Sequence, residues 1–324
     1  MTMNETLLED NNRYTLFPIK HMDMWNAYNN HKNAFWTAQE IDYTADIGDW
    51  ENLSADEKFF IENILAFFAG SDGIVLENLI EDFSSQVKVP EARCFYGFQA
   101  MIENIHGETY SLLIDTFVKD PKRKTELFEA IDTIPAVGKK AKWALKWINK
   151  DIPFATRLIA FAIVEGVFFS GSFCSIFWLK NKGKMIKALG MANDFIARDE
   201  GLHTNFAVLL YKDHIVNKMT QDDFYEIMKE AVEIEREFIC DSLPCNLIGM
   251  NSTLMYQYIK FVADRLSQQL GYDKIYNVDN PFPFMETIGL DGMGNFFEGR
   301  VSEYTSASSV IKQEDKHFIL SDDF

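Results

Sequence analysis

The chain is poor in positive charge and in cysteine. Its 31 Lys and Arg residues are outnumbered by 49 Asp and Glu residues, which gives a formal net charge of −18. Because proteins bind phosphate backbones through clustered Lys and Arg, this balance argues against a nucleic-acid partner. The four cysteines, Cys94, Cys174, Cys240 and Cys245, form no C-x-x-C pair. We therefore expect no disulfide framework and predict a reducing compartment, the cytoplasm.

Proline and glycine are also scarce, at 8 and 17 of 324 residues. With 47% hydrophobic residues and 28 Phe, this composition excludes a fibrous repeat and a disordered chain and favours a large buried core. The polar, acidic first twelve residues predict no signal peptide. Residues 158–179 are nearly apolar and long enough to cross a membrane. Because Glu165 interrupts them and a carboxylate is costly at bilayer depth, we predict a buried central helix and no membrane partner.

Helical patterns run through the chain without a low-complexity linker, which predicts a single all-α domain. We expect an irregular arm over residues 1–20, the helical domain over 21–285 and a flexible tail over 286–324. Ser54 and Glu57 form a capping box that predicts the start of a helix, whereas the stretch before it has a loop-like pattern. The predicted helices cover 21–33, 54–84, 90–118, a short segment after Asp120, 136–149, a segment from Pro153 to 179, 184–213, 221–240 and 251–270. Within the buried helix, Ser170-Gly171-Ser172 is a candidate irregularity.

The segment 101–115 carries the first chemical signal. Glu103 and His106 are three residues apart, so on a helix they share one face, and Tyr110 lies one turn further along. A carboxylate and an imidazole on one face can bind a metal. A single Glu-x-x-His is more often a surface carboxylate beside a satisfied histidine, so this motif needs a second observation.

The same spacing recurs at Glu200 and His203, and each pair is preceded by a carboxylate in an otherwise apolar segment, Asp72 before the first and Glu165 before the second. Two such pairs on facing helices are the ligand set of dimetal carboxylate bundles. Four carboxylates offset the charge of two divalent ions, and oxygen and imidazole donors without thiolate favour iron or manganese over structural zinc. The competing interpretation is that Asp72 and Glu165 are unrelated buried acids.

These residues resemble a known family, the small, radical-generating subunit of class Ia ribonucleotide reductase of eukaryotes and their viruses. The resemblance extends over nearly the whole chain and rests on the segments F-W-T-A-Q-E-I-D, S-D-G-I-V, V-E-G-V-F-F-S-G-S-F, R-D-E-G-L-H and N-F-F-E-G-R-V-S-E-Y. It implies a ferritin-like di-iron carboxylate helical bundle with additional helices, and a homodimer that lends a radical to a large catalytic subunit. The large subunit then reduces ribonucleoside diphosphates.

The resemblance also implies roles for particular residues. It implies that two iron ions per chain, or manganese in their place, are bound by Asp72, Glu103, His106, Glu165, Glu200 and His203. It further implies that Tyr110 carries a stable radical, formed when the metal site activates oxygen and the phenol loses an electron and a proton. Phe169 and Phe173 match the apolar pocket around that radical, although both would also serve as ordinary core residues. Asp199 matches a carboxylate that orients the metal-bound His106, and Trp36 matches the aromatic residue beyond it on the electron path.

The last residues of the chain carry a further signal. They include four apolar anchors interleaved with acidic residues, namely Phe318, Ile319, Leu320 and Phe324. This pattern is typical of segments that become ordered on binding to a partner. We predict that this tail docks on the large subunit. Tyr304 lies between the helical domain and these anchors, where the family places the tyrosine that passes the radical across the interface.

Three other functions share parts of this pattern. An oxygen-activating oxidase or hydroxylase would use the same ligands but would need a substrate cavity and no redox-active Tyr110. Ferritin-like iron storage requires neither Tyr304 nor an apolar pocket around a tyrosine. An inactive scaffolding paralogue would tolerate the loss of ligands, yet all six predicted ligands and Tyr110 are present.

Overall fold

The computed structural model of the chain describes residues 5–10, 12–147 and 149–285, and every regular element in these ranges is helical. The α-helices are α1 (Met22–Asn33), α2 (Ile47–Asn52), α3 (Ala55–Asn78), α4 (Ser84–Gln86), α5 (Pro90–Phe117), α6 (Pro121–Phe128), α7 (Ala130–Thr133), α8 (Pro135–Lys146), α9 (Phe154–Ile163), α10 (Ser170–Asn181), α11 (Leu189–Leu209), α12 (Gln221–Arg236) and α13 (Ser252–Leu270). Short 3₁₀ turns occupy Thr6–Leu8, Ala38–Glu40, Tyr43–Asp46, Cys245–Ile248 and Pro283–Met285. The all-α prediction is confirmed.

The described residues contain four π-helical turns, each of which either joins two α-helices or ends one. In a π-helical turn one extra residue is inserted into the helical register. These turns cover Leu79–Phe83, Val164–Phe168, Leu210–His214 and Glu237–Ser242. The turn at Val164–Phe168 joins α9 to α10 and contains Glu165. The buried central helix is therefore interrupted at the residue that the sequence marks as a metal ligand.

Local sequence signals account for several helix starts. The Ser54 hydroxyl accepts a hydrogen bond from the Glu57 backbone N–H, and the Glu57 carboxylate accepts one from the Ser54 N–H, so the predicted capping box begins α3. Pro90 occupies the first turn of α5. The Asp120 carboxylate accepts from the Lys122 N–H at 2.8 Å at the start of α6.

The core is built from α3 packed along α5 and from α9 packed along α11, with α5 also contacting α11. Two helical stretches, Ala55–Gln86 and Phe154–Asn181, have the length and the apolar composition of a membrane span. In the second, 94% of the most apolar window is buried inside the protein. This agrees with the prediction of a central helix surrounded by protein.

Three boundaries differ from the sequence prediction. The loop-like stretch before Leu53 contains two 3₁₀ turns and α2. The predicted helix over 184–213 begins only at Leu189, because Gly183 and Met185 adopt left-handed backbone conformations with φ of 76° and 53°. The predicted irregularity at residues 170–172 is α-helical, and the distortion lies just before it, at Val164–Phe168.

The start of α11 is fixed by a residue distant in sequence. The buried Asp46 carboxylate accepts hydrogen bonds from the backbone N–H groups of Lys187, Ala188 and Leu189 at 2.8 to 3.0 Å. These are orphan donors at a helix N-terminus, which a local side chain would ordinarily cap. A cap that comes from another part of the chain leaves no local signal, so the sequence pattern placed the start too early.

The described residues up to Phe282 cluster into one compact unit. The predicted divisions at residues 20 and 285 stay predictions, and the tail over 286–324 lies outside the described residues.

Candidate metal centre

The structure brings all six predicted ligands together in the middle of the helical core. Asp72 comes from α3, Glu165 from the π turn after α9, and the two Glu-x-x-His pairs come from α5 and α11. The six residues are each at most 3% exposed. They are Asp72, Glu103, His106, Glu165, Glu200 and His203.

Glu103 and Glu200 lie between the two imidazoles, with one carboxylate oxygen directed at each. Glu103 places Oε2 at 3.3 Å from His106 Nδ1 and Oε1 at 3.1 Å from His203 Nδ1. Glu200 places Oε1 at 3.3 Å from His106 Nδ1 and Oε2 at 3.0 Å from His203 Nδ1. Two carboxylates that each face both histidines have the arrangement of bridging ligands between two cations.

Asp72 and Glu165 occupy opposite ends of this cluster. Donor atoms of Asp72, Glu103 and His106 lie within 4.8 Å of one another, as do those of Glu103, Glu165, Glu200 and His203. Glu165 Oε2 is 3.3 Å from His203 Nδ1, and its Oε1 accepts a hydrogen bond from Gln99 Nε2 at 3.0 Å. Each histidine is thus grouped with its own end carboxylate.

Burial and mutual charge shift the pKa values of the clustered side chains. Burial and the charge of Glu103 raise the pKa of Asp72 well above its usual range, and burial with the nearby carboxylates raises that of Glu165. Although burial opposes protonation, the surrounding carboxylates raise the pKa values of His106 and His203. Asp72 and Glu165 therefore favour their protonated forms in the absence of another cation, whereas His203 and His106, against the effect of burial, lower the pKa of Glu103.

The buried donor atoms fit a metal. Both oxygens of Asp72 and of Glu103 lack a hydrogen-bond partner, as do Glu165 Oε2, Glu200 Oε1 and His106 Nδ1. Buried polar atoms normally have a hydrogen-bond partner, so this many unpaired oxygen and nitrogen atoms in one place indicate a common partner such as a metal ion. Four carboxylates and two imidazoles match the charge and the donor preference of two divalent ions such as iron or manganese. The cluster could hold a metal.

Asp199 connects His106 to Trp36. Its Oδ2 lies 3.3 Å from His106 Nε2 and accepts a hydrogen bond from Trp36 Nε1 at 2.6 Å. Its Oδ1 accepts two hydrogen bonds from Arg198, at 3.0 and 2.8 Å. Although burial opposes ionisation, Arg198 and His106 hold the pKa of Asp199 well below its usual range. The predicted array from His106 through Asp199 to Trp36 is continuous, and the Trp36 and His106 rings stack with centroids 6.0 Å apart.

The other histidine has a different outer partner. His203 Nε2 lies 3.3 Å from Nε2 of His31, a fully buried residue of α1. Burial, and then the charge of His203, lower the pKa of His31 to about 3, so this imidazole is neutral at ordinary pH. One candidate ligand is therefore backed by a carboxylate and the other by a neutral imidazole.

Tyr110 lies beside the cluster in an aromatic pocket. Its ring stacks on Phe68 with centroids 4.8 Å apart and an interplanar angle of 6°. Phe68 in turn contacts Phe169 at 5.5 Å and Phe173 at 4.8 Å. The Tyr110 hydroxyl has no hydrogen-bond partner, and burial followed by the charge of Asp72 raises its pKa well above the usual value. Phe169 and Phe173 thus pack on Phe68, the ring that itself stacks on Tyr110.

Sequence reasoning did not identify His31, Gln99 or Arg198. Arg198 is adjacent to Asp199 in sequence, and a buried Asp beside an Arg could have suggested the pair. His31 and Gln99 touch the cluster only through contacts that span 172 and 66 residues, so no local spacing reveals them. Tyr304 and the tail residues Phe318, Leu320 and Phe324 lie outside the described residues.

Comparison with known proteins places this geometry in a family. Residues 13–281 match the family model described as ribonucleotide reductase, small chain. A ribonucleoside-diphosphate reductase small chain of Trypanosoma brucei brucei is 57% identical, with 99% of this chain and 96% of the relative covered. That of Vaccinia virus (strain Western Reserve) is 55% identical, with 99% and 100% covered. The structure of the ribonucleotide reductase Rnr4 homodimer from Saccharomyces cerevisiae aligns with a TM-score of 0.80 at 43% identity, covering 93% of this chain and 92% of that one.

Proposed function

The chain belongs to the small-chain family of ribonucleotide reductase, and we propose that it serves this enzyme by holding two metal ions and a radical on Tyr110. This membership confirms the resemblance and the ferritin-like fold. The function of the chain is that of a ribonucleoside-diphosphate reductase small subunit. The observation that carries the radical proposal is the buried Tyr110, stacked on Phe68, beside a cluster in which Glu103 and Glu200 each face both histidines.

In this proposal the six clustered residues would hold the metal ions. Their donor atoms form two groups, one of Asp72, Glu103 and His106 and the other of Glu103, Glu165, Glu200 and His203. When bound, two redox-active ions such as iron reduce dioxygen and so supply a one-electron oxidant. The protein fixes the ligands through outer contacts, from Asp199 to His106 and from Gln99 to Glu165.

Tyr110 is suited to lose an electron and keep the resulting radical. Because its pKa is raised by burial, the phenol holds its proton at neutral pH and must release it together with the electron. After burial, the charge of Asp72 contributes most to the raised pKa of Tyr110. In this proposal Phe68, which stacks on Tyr110 and is itself covered by Phe169 and Phe173, keeps water and reductants away from the oxidised tyrosine.

Trp36, Asp199 and His106 form the inner part of the electron path in this proposal. The indole and the imidazole share one carboxylate oxygen, Asp199 Oδ2. An electron can leave or reach the cluster through this hydrogen-bonded array, and the Asp199 charge stabilises a positive charge that develops on either ring.

We also propose that the chain works as a homodimer with a large catalytic subunit in the cytoplasm. The Rnr4 relative is described as a homodimer, and a small chain requires a large partner for the reductase reaction. The tail with Phe318, Leu320 and Phe324 is the proposed docking segment, and Tyr304 is the proposed residue that passes the radical to the partner.

The Tyr110→Phe variant tests the radical. We expect it to bind metal as the wild type does and to lose the organic radical signal in electron paramagnetic resonance after ferrous iron and oxygen are added. Tyr96→Phe is a matched control, because Tyr96 is also a buried tyrosine of α5 with an unpaired hydroxyl. A signal that persists in Tyr110→Phe would remove Tyr110 from the mechanism and favour the oxidase alternative.

Metal analysis tests the ligands. Glu165→Ala and His203→Ala should each reduce the iron bound per chain, because each removes a buried donor from the cluster. If both variants keep the full iron content of the wild type, the ligand assignment is wrong.

Deletion of residues 319–324 tests the tail. The truncated protein should keep its iron and its Tyr110 radical but lose reductase activity with the large subunit, and a peptide of the last residues should compete with the intact chain. Tyr304→Phe should bind the partner and not turn over. Full activity of the truncated protein would place the docking surface on the helical body.

A further inference from the structure

A buried ion pair stands beside the helical break that carries Glu165. Lys140 of α8 and Glu235 of α12 are 2% and 0% exposed, and Lys140 Nζ lies 2.5 Å from Glu235 Oε2. Neither residue touches the candidate ligands. Desolvation of two charges is costly, so a buried ion pair is weak evidence of stabilisation. The position of this pair therefore suggests another role.

Both members of the pair also bind backbone groups at the break. Lys140 Nζ donates to the Phe168 carbonyl at 2.6 Å, and Glu235 Oε1 accepts from the Gly171 N–H at 3.1 Å. In an uninterrupted α-helix, the Gly171 N–H would donate to the Val167 carbonyl. Here that carbonyl accepts from the Ser170 hydroxyl at 2.6 Å. The pair therefore satisfies polar groups that the helix cannot satisfy internally.

The surroundings are shaped for the pair. A Cβ atom on Gly171 would lie 2.5 Å from Glu235 Oε1, so only glycine allows the carboxylate to reach the backbone. The Lys140 ammonium lies 3.6 Å from the Phe67 ring centroid and 4.2 Å from that of Phe238, within the range of cation–π attraction. These contacts hold the ammonium in one place.

We propose that the Lys140–Glu235 pair positions Glu165 for metal binding by holding open the π-helical turn over Val164–Phe168. A π turn inserts one residue, and a change of one residue in register rotates the following side chains by about 100° around the helix axis. The turn thus sets how Glu165 is oriented relative to Phe169 and Phe173, which lie at and beyond its end. This inference rests on the proposed role of Glu165 as a ligand.

Two features separate this role from simple stabilisation. The pair is attached to the backbone three and six residues after Glu165, and not to any ligand side chain. It also supplies one donor and one acceptor, which are what the opened turn requires. An apolar pair of the same volume would fill the space but leave the Phe168 carbonyl and the Gly171 N–H without these partners.

The test compares cobalt binding by the full-length chain and its variants. Lys140→Met combined with Glu235→Leu removes both charges and leaves no unpaired ion. We expect this double variant to bind cobalt at least about tenfold more weakly at one of the two sites, with a changed visible absorption spectrum, as for the loss of an outer contact. Exchange of the Gly171 amide with deuterium should also become faster. Glu235→Gln keeps an acceptor for the Gly171 N–H and should preserve the wild-type spectrum.

The control is a buried pair that involves α9, the helix that leads into the turn: Arg157 of α9 with Asp82, which makes no contact with Val164–Phe168 in the described hydrogen bonds. Arg157→Met with Asp82→Leu should leave the cobalt spectrum unchanged even if the melting temperature falls. If the Lys140 double variant does not fold, Gly171→Ala provides a second test, since its Cβ displaces the Glu235 carboxylate and should produce the same spectral change.

Wild-type cobalt affinity and spectrum in the double variant, or in Gly171→Ala, would overturn the proposal and leave the pair a structural one. That result differs from a failure of the proposed function, which would appear as wild-type protein that does not bind two cobalt ions.

Discussion

Acid should destabilise this protein through His31, and the size of the effect follows from its burial. Burial and the charge of His203 lower the pKa of His31 from 6.5 to about 3. The folded chain therefore keeps His31 neutral over a range of pH in which the unfolded chain protonates it. A group whose pKa is depressed by folding contributes stability above its unfolded pKa, and that stability is lost as the pH falls towards the folded pKa.

The expected loss can be worked out for a moderate pH change. Near pH 7.5 neither state protonates His31 appreciably, whereas near pH 5.5 the unfolded state does and the folded state does not. The difference corresponds to about 1.4 kcal/mol of unfolding free energy, since one pKa unit is worth about 1.36 kcal/mol. Lower pH would increase the loss until the folded pKa is reached.

The assay is urea unfolding of the metal-free chain at the two pH values, for the wild type and for His31→Gln at one protein concentration. Gln can still accept a hydrogen bond from His203 Nε2 but does not titrate. The wild type should therefore lose about 1.4 kcal/mol more than His31→Gln on acidification. Phe95→Leu is the matched control, because Phe95 packs on the His31 ring at 5.1 Å and its loss should lower stability equally at both pH values.

An equal loss in the wild type and in His31→Gln would refute the reasoning. It would mean that His31 takes up a proton in the fold and so cannot accept a hydrogen bond from His203 as a neutral imidazole.

Three further predictions follow from the site. Phe68→Ala opens the pocket, so it should cost about 3–5 kcal/mol of stability by thermal unfolding and shorten the lifetime of the Tyr110 radical. An unchanged radical lifetime would contradict the shielding role. Trp36→Phe should keep the metal and lower the free energy of unfolding, measured with urea, by about 1.5–3 kcal/mol, because Asp199 loses a buried hydrogen-bond donor. A smaller loss would show that the hydrogen bond from Trp36 to Asp199 is weak. Cobalt affinity should fall by about tenfold or more per pH unit of acidification, because the raised pKa values of Asp72 and Glu165 make protons compete with the metal, and a flat profile would contradict this.

Local sequence determined much of the architecture and the composition of the site. The capping box at Ser54 defines a helix start because its partner, Glu57, lies three residues further on. The proline at position 90 defines another because its fixed φ suits the first helical position. Glu103 and His106 face the same way because the helical period places residues three apart on one face, and the same holds for Glu200 and His203. The sequence could therefore group the donors before any helix was placed in space.

Other features depend on contacts between residues far apart in the chain, and only the tertiary structure decided them. Packing made Glu103 and Glu200 the carboxylates between the two histidines and placed His31 behind His203. The start of α11 depends on Asp46, and the π turn at Glu165 is bound by Lys140 and Glu235 from two other helices. Such partners have no fixed spacing in sequence, because the distance along the chain between them is set by the path of the intervening helices and not by helical period.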